Sequence, residues 1–158
     1  MTFVSERVAL WRSPPIGFSV VVGSDQGLRK LLLIRGTLPA ADRGFIHYHD
    51  GDEIIRVLQG QITVVVGDER RACRQGDVAV IPPHTRHGFV VGDAEVLVEV
   101  ISEQGMRSFI AVEGAGGKPQ MIELHRADVP FDRDPPPGRR HTSQEELEEL
   151  VRRSSDSL

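Results

Sequence analysis

Two histidines and a carboxylate stand within His47-Tyr48-His49-Asp50-Gly51-Asp52-Glu53, at spacings that suit a metal ion. Side chains alternate along a β-strand with a period of two, so His47 and His49 share one face if the segment is extended. On a helix the same spacing would splay them apart. Asp50-Gly51-Asp52 has the composition of a turn, which lets the chain reverse and start a second strand at Glu53. In that arrangement Glu53 lies across a hairpin from His49. Two imidazoles and a carboxylate suit a borderline divalent ion such as iron, manganese, nickel or zinc. Downstream, the segment from Gly76 to His87 reads as a turn, a short apolar strand, a proline corner and a histidine. Neutral His87 can supply another ring nitrogen. The set becomes His47, His49, Glu53 and His87, holding one divalent ion per chain. Without an ion, a carboxylate buried beside imidazoles would be costly.

The surrounding chain must deliver these groups from short strands. Apolar runs bounded by glycine, proline and aspartate predict strands over residues 16–22, 28–35, 45–49, 53–58, 61–66, 69–74, 77–81, 87–91 and 94–102. Gly67-Asp68 is a hairpin signal between two of them. Pro82-Pro83 cannot donate backbone hydrogen bonds, so a sheet must break there. Residues 36–44 read as a loop over the mouth of the assembly. Residues 106–112 are a last strand or a cover over an open end, and 121–125 are a candidate edge strand. If His47, His49, Glu53 and His87 point inward, alternation carries Phe45, Ile55, Val57 and Phe89 inward with them and turns Tyr48 outward. Those four apolar residues are candidate substrate contacts as well as candidate core.

The chain has 158 residues, enough for one domain and a tail. Hydrophobic residues at 39% and charged residues at 27% are ordinary for a water-soluble protein. A formal net charge of -4, with no large lysine or arginine cluster, argues against a nucleic-acid partner. The single cysteine, Cys73, rules out an internal disulfide framework. It fits a reducing compartment, and with no signal-peptide pattern at the N-terminus the expectation is a cytoplasmic protein. No apolar run approaches the ~20 residues of a membrane span. After Gly114-Ala115-Gly116-Gly117 the composition changes. Pro135-Pro136-Pro137 marks an extended linker, and Ser143-Gln144-Glu145-Glu146 is a capping box that predicts a helix to about residue 153.

The two motifs resemble those of the cupin superfamily. Its first motif is glycine, five residues, H-x-H, three or four residues, E, six residues, G. His47, His49, Glu53 and Gly60 match it, while Ala41 stands at the leading glycine, with Gly44 nearby. The second motif is G, five residues, P-x-G, two residues, H, three residues, N. Gly76, Pro82 and His87 match it, His84 replaces the second glycine, and Val91 stands at the asparagine. The resemblance covers roughly residues 15–112. It implies an all-β fold, a double-stranded β-helix (jelly-roll) barrel over residues 16–113. An N-terminal arm (1–15) precedes it, and a C-terminal extension with a proline-rich linker and a short helix (114–158) follows. In such proteins arms often pack on a partner subunit. Trp11 and Phe3 are candidates for that role or for covering their own barrel, and a homodimer is expected.

The resemblance also implies function. The three-histidine, one-glutamate set is similar to that of cupin dioxygenases, quercetinase-like enzymes above all. There, four protein donors leave two positions of a six-coordinate ion for substrate and O₂. Glu53 could double as a base. His84, in the loop before His87, is a candidate proton shuttle, and Arg86 a candidate clamp for an anionic substrate. The same set serves cupin isomerases, decarboxylases and lyases, and a cupin can also bind a small molecule without turnover. A DNA-binding regulator is disfavoured, since the tail offers one candidate helix and no basic face.

Overall fold

The computed structural model describes residues 11–13, 16–113 and 119–124. Its strands are β1 (Trp11–Ser13), β2 (Ile16–Val22), β3 (Leu31–Leu38), β4 (His47–His49), β5 (Glu53–Gln59), β6 (Gln61–Val66), β7 (Glu69–Arg74), β8 (Val78–Ile81), β9 (His87–Val91), β10 (Val96–Glu103), β11 (Ser108–Glu113) and β12 (Pro119–Leu124). Two sheets result, ordered β1-β2-β3-β10-β5-β8 and β12-β11-β4-β9-β6-β7. From β3 to β11 every connection crosses from one sheet to the other, except the β6–β7 hairpin. This is the winding of a jelly roll, and the expected all-β architecture is what the chain adopts. The C-terminal helix expected to end near residue 153 and most of the N-terminal arm lie outside the described residues. Among the described residues no helix is long and apolar enough to cross a membrane.

Alternation builds the core. Along β10 the inward residues Val96, Val98, Val100 and Ser102 are buried, and the residues between them are less so. Leu38, Val57 and Ile81 join them from the same sheet, and Ile62, Val64 and Val91 from the facing one. Each such side chain contributes roughly 1.5–3 kcal/mol of transfer free energy. Cys73 is buried in the same cluster, and burial raises its thiol above the ordinary value. The β6–β7 hairpin has Val66 opposite Glu69 across Gly67-Asp68, with Gly67 at φ 59° as a tight two-residue loop requires.

One expectation is overturned. β4 and β5 are not hairpin partners. β4 pairs with β9 and β11, whereas β5 pairs with β8 and β10 in the other sheet. Asp50-Gly51-Asp52 is therefore a corner between sheets, and Glu53 faces His49 across the barrel rather than along a ladder. The composition of a tight turn serves both geometries. The corner is held from outside. Asp50 accepts hydrogen bonds at 2.6 Å from both the backbone N–H and the Nε–H of Arg107, and the Asp50 N–H donates to the Arg107 carbonyl at 3.2 Å. A Cβ added at Gly51 would come within 3.1 Å of Met106 and 3.2 Å of Glu103, so the corner packs closely on the β10–β11 turn. Smaller differences are that β3 runs on through Gly36 to Leu38, and that residues 108–113 form β11, paired with both β4 and β12.

The motif departures have a backbone meaning. Gly60 and Gly76, which match the motif, take φ of 87° and 91°. Ala41 and His84, which replace glycines of the motif, are the non-glycine residues with positive φ among the described residues, at 61° and 59°. The corners demand a left-handed residue whichever side chain is present, and an L-residue there costs roughly 1–2 kcal/mol. Ala41→Gly is therefore expected to stabilise the protein by roughly 0.5–1 kcal/mol after the added chain entropy of glycine. Gly76→Ala, where a Cβ would meet nothing within 4 Å, should destabilise it through backbone strain alone. Chemical denaturation of both variants checks the pair.

Candidate metal centre

The four ligand candidates come from three strands in two sheets. His47 and His49 lie on β4, His87 on β9 beside them, and Glu53 at the start of β5 opposite. Cα pairing sets His47 against His87 in the β4–β9 ladder. The imidazole centroids are 4.1 Å apart for His47 and His87, 4.7 Å for His47 and His49, and 4.8 Å for His49 and His87. Glu53 reaches across, with Oε2 at 3.3 Å from His49 Nδ1 and Oε1 at 3.6 Å from His87 Nε2. One ligand atom from each of the four lies within 4.8 Å of the others. His49, Glu53 and His87 are buried, and His47 is half-buried.

The backbone fixes two of the rings. His47 Nδ1–H donates to the Phe45 carbonyl at 3.0 Å, and His87 Nδ1–H donates to the Thr85 carbonyl at 2.8 Å. Each bond spans two residues and leaves Nε2 as the lone-pair nitrogen, the usual orienting device behind a metal-bound histidine. Burial holds the His87 imidazole below its ordinary value, against the opposing bond to Thr85. His87 Nε2 is buried and makes no hydrogen bond. The donors therefore fit a divalent ion: ring nitrogens and one carboxylate, converging where burial makes a lone carboxylate costly. The β8–β9 corner is tied to this centre by the His84 N–H, which donates to the His49 carbonyl at 2.6 Å.

The remaining candidates separate. The Phe45 ring lies 4.8 Å from His47. Phe89 is half-buried, packs on the core, and fills the space a side chain at Gly44 would need, at 2.7 Å. Ile55 is buried one inward position beyond Glu53, and Val57 lies one further, inside the core at 1% exposure. His84 is exposed on its corner. Arg86 precedes His87, and its carbonyl accepts from the Gly67 N–H at the β6–β7 hairpin. Its side chain is half-buried. Tyr48 pairs with Phe109 on the outer face of its sheet.

Two contacts beside the centre have no local sequence signature, those of Ser102 and of Asp50. Ser102 is buried and is the Cα partner of Glu53 across β10–β5. Only its inward facing had a signal, in the series Val96, Val98, Val100, which Ser102 continues. Asp50 looked like turn chemistry alone, and its partner Arg107 is far along the chain.

Residues 35–102 match the family model described as "Cupin domain". No curated protein matches the chain by sequence. Among solved structures, KdgF from Halomonas sp. is 25% identical with a TM-score of 0.59, over 65% of this chain and 93% of that one. The polyketide cyclase RemF from Streptomyces resistomycificus is 20% identical with a TM-score of 0.54, over 58% of this chain and 66% of that one. Salicylate 1,2-dioxygenase from Pseudoaminobacter salicylatoxidans, with gentisate, is 18% identical with a TM-score of 0.55, over 62% of this chain and 29% of the much longer dioxygenase. The barrel, its two motifs and the family match together identify residues 35–102 as a cupin domain.

Two outcomes are expected here. His49→Ala should lose most of the bound divalent metal, measured by elemental analysis beside wild type, and unchanged occupancy would overturn the assignment. The second concerns Asp50. Burial would raise its carboxyl, but the hydrogen bonds and charge of Arg107 together hold it below the ordinary value. A carboxyl lowered on folding contributes stability that is present above its unfolded pKa and lost as pH falls through the folded one. Asp50→Asn should thus lower Tm by roughly 3 °C at neutral pH. The gap should close on acidification below the ordinary carboxylate range, as followed by thermal melts.

Proposed function

We propose that this cupin is a metal-dependent enzyme acting on a small organic molecule, with dioxygenase chemistry best supported by its donor set. The observation that carries this reading is the convergence of His47, His49, Glu53 and His87, with ligand atoms within 4.8 Å of one another. A redox-capable divalent ion held there would supply Lewis acidity and an electron-transfer route to O₂, with positions left open by a four-donor set.

The chain's own residues have distinct tasks in this reading. The carbonyls of Phe45 and Thr85 keep His47 and His87 in the tautomer whose Nε2 can bind. Glu53 balances charge and is the carboxylate in the cluster able to take a proton from an incoming hydroxyl. Phe45, Phe89 and Ile55 give the interior an apolar wall that excludes water and suits an aromatic or otherwise apolar substrate. Arg86, just before β9, stays a candidate contact for an anionic group, and Val57 belongs to the packing beneath. Exposed His84, on the corner whose backbone N–H bonds the His49 carbonyl, is the candidate proton shuttle of this reading. Two similar structures are a dioxygenase holding gentisate and a polyketide cyclase. That likeness is one of fold, and the weight rests on the donors.

The test joins metal content to O₂ uptake. Protein purified without chelator should carry iron, manganese or nickel and consume O₂ with a phenolic or enolic substrate. Chelation or Glu53→Gln should abolish uptake while the variant retains a cooperative melt. Native zinc with no O₂ uptake would sink the dioxygenase reading in favour of isomerase, lyase or decarboxylase chemistry. Ligand binding that survives metal removal would favour a non-catalytic module.

A further inference from the structure

The β4–β5 corner has a companion beside the metal centre. The turn at residues 104–107, between β10 and β11, packs against it and likewise crosses from one sheet to the other. Outside the barrel the two corners are laced together. Asp50 takes hydrogen bonds from the N–H and Nε–H of Arg107, both at 2.6 Å, and the Asp52 N–H donates to Glu103 Oε1 at 3.4 Å. Gln104 ties the second corner down from another direction. Its side-chain amide donates to the Leu31 carbonyl at 2.8 Å, and its backbone N–H to the Lys30 carbonyl at 2.8 Å.

The residues one step inside these contacts form a matched set. Ladder pairing sets Ser108 on β11 against His49 on β4, and Ser102 on β10 against Glu53 on β5. Residues directly opposite in a ladder send their side chains to the same face, with Cβ atoms about 4.5–5.5 Å apart. His49 and Glu53 face the centre, so Ser108 and Ser102 face the same interior from opposite walls. Ser102 is buried and Ser108 half-buried. Strand order puts both on one side of the donors. β8 and β10 flank β5 on opposite sides, and β9 and β11 flank β4 on opposite sides. One corner joins β8 to β9 and another joins β10 to β11. His87 on β9 therefore closes the first side of the centre, and the two hydroxyls border the second.

The wall around these hydroxyls is aliphatic. The next inward residues along β10 and β11, Val100 and Ile110, are buried. A serine hydroxyl both donates and accepts a hydrogen bond and carries no charge. Two of them suit a neutral oxygen, a hydroxyl or a carbonyl, better than an anion whose charge they would leave uncompensated.

We propose that Ser102 and Ser108 form a substrate subsite, binding a neutral oxygen of a molecule whose other oxygen is held at the metal centre. This rests on the reading of the four donors as the centre of a metal-dependent enzyme. It narrows the substrate class to small molecules with two oxygen substituents, of which a dihydroxybenzene is the simplest aromatic case.

The test is calorimetric titration of the zinc-loaded full chain with phenol and with catechol, zinc being redox-inert so that binding is read without turnover. Wild type should bind catechol ~10-fold more tightly than phenol. Ser102→Ala combined with Ser108→Ala should cut that preference to about twofold or less, with zinc content and phenol affinity kept. Either single substitution should show part of the loss if the double variant does not fold. A catechol preference that survives the substitutions would put the second oxygen elsewhere and overturn the proposal. Zinc uptake without any catechol preference in wild type would overturn it equally, and both results leave the metal centre standing. A wild type that takes up no more zinc than His49→Ala would sink the metal reading itself, and the subsite with it.

Discussion

A carboxylate held away from water among three imidazoles is the constraint on which this architecture turns. Glu53 is 7% exposed and His87 1%, and burial keeps His87 from gaining the proton that would offset the Glu53 charge. Removing an ionised group from water costs several kcal/mol unless it is compensated. The interior is arranged for compensation by a cation, with the nitrogens and the carboxylate on opposite walls. That requirement explains why the chain changes sheet between His49 and Glu53. Four donors on one ladder would all point the same way, whereas donors on facing sheets can surround a point.

Holding facing donors in place requires stiff corners, and short polar contacts are found there. Arg107 clamps the β4–β5 corner through Asp50. The β8–β9 corner is pinned by the His84 N–H on the His49 carbonyl, at 2.6 Å. His84 and Ala41 keep left-handed backbones without glycine, which shows the conformation to be dictated by how the chain winds rather than by the residue. The strain is a local cost borne by corners whose geometry the winding over-determines.

Much of the centre was legible in the sequence because it rests on local periodicity. The period of two put His47 and His49 on one face, and the same rule placed Ile55 beyond Glu53 and turned Tyr48 outward. The proline corner before His87 was readable because Pro82-Pro83 must interrupt a ladder. What could not be read is which wall Glu53 stands on. Asp-Gly-Asp has the same local chemistry in a hairpin and in a corner between sheets, and only pairing with β8 and β10 tells them apart. Ser102 beside Glu53 and Arg107 beside Asp50 escaped for the same reason, since their partners are some fifty residues away.

The same alternation carries a further consequence for the strand that holds Glu53. On β5 the inward Glu53 and Ile55 face the centre and core, and the residue between them, Ile54, faces out beside Ile101 and Val80. The start of strand β5 thus carries an aliphatic side chain, Ile54, on the side away from the metal centre, before exposed Arg56. A sheet open to water behind the site would let the start of β5 breathe, because a ladder with one wet face loses little on fraying. Apolar cover on that face would make fraying expose two surfaces instead of one. The position of the single carboxylate would then depend on what lies behind the sheet as much as on the histidines in front of it.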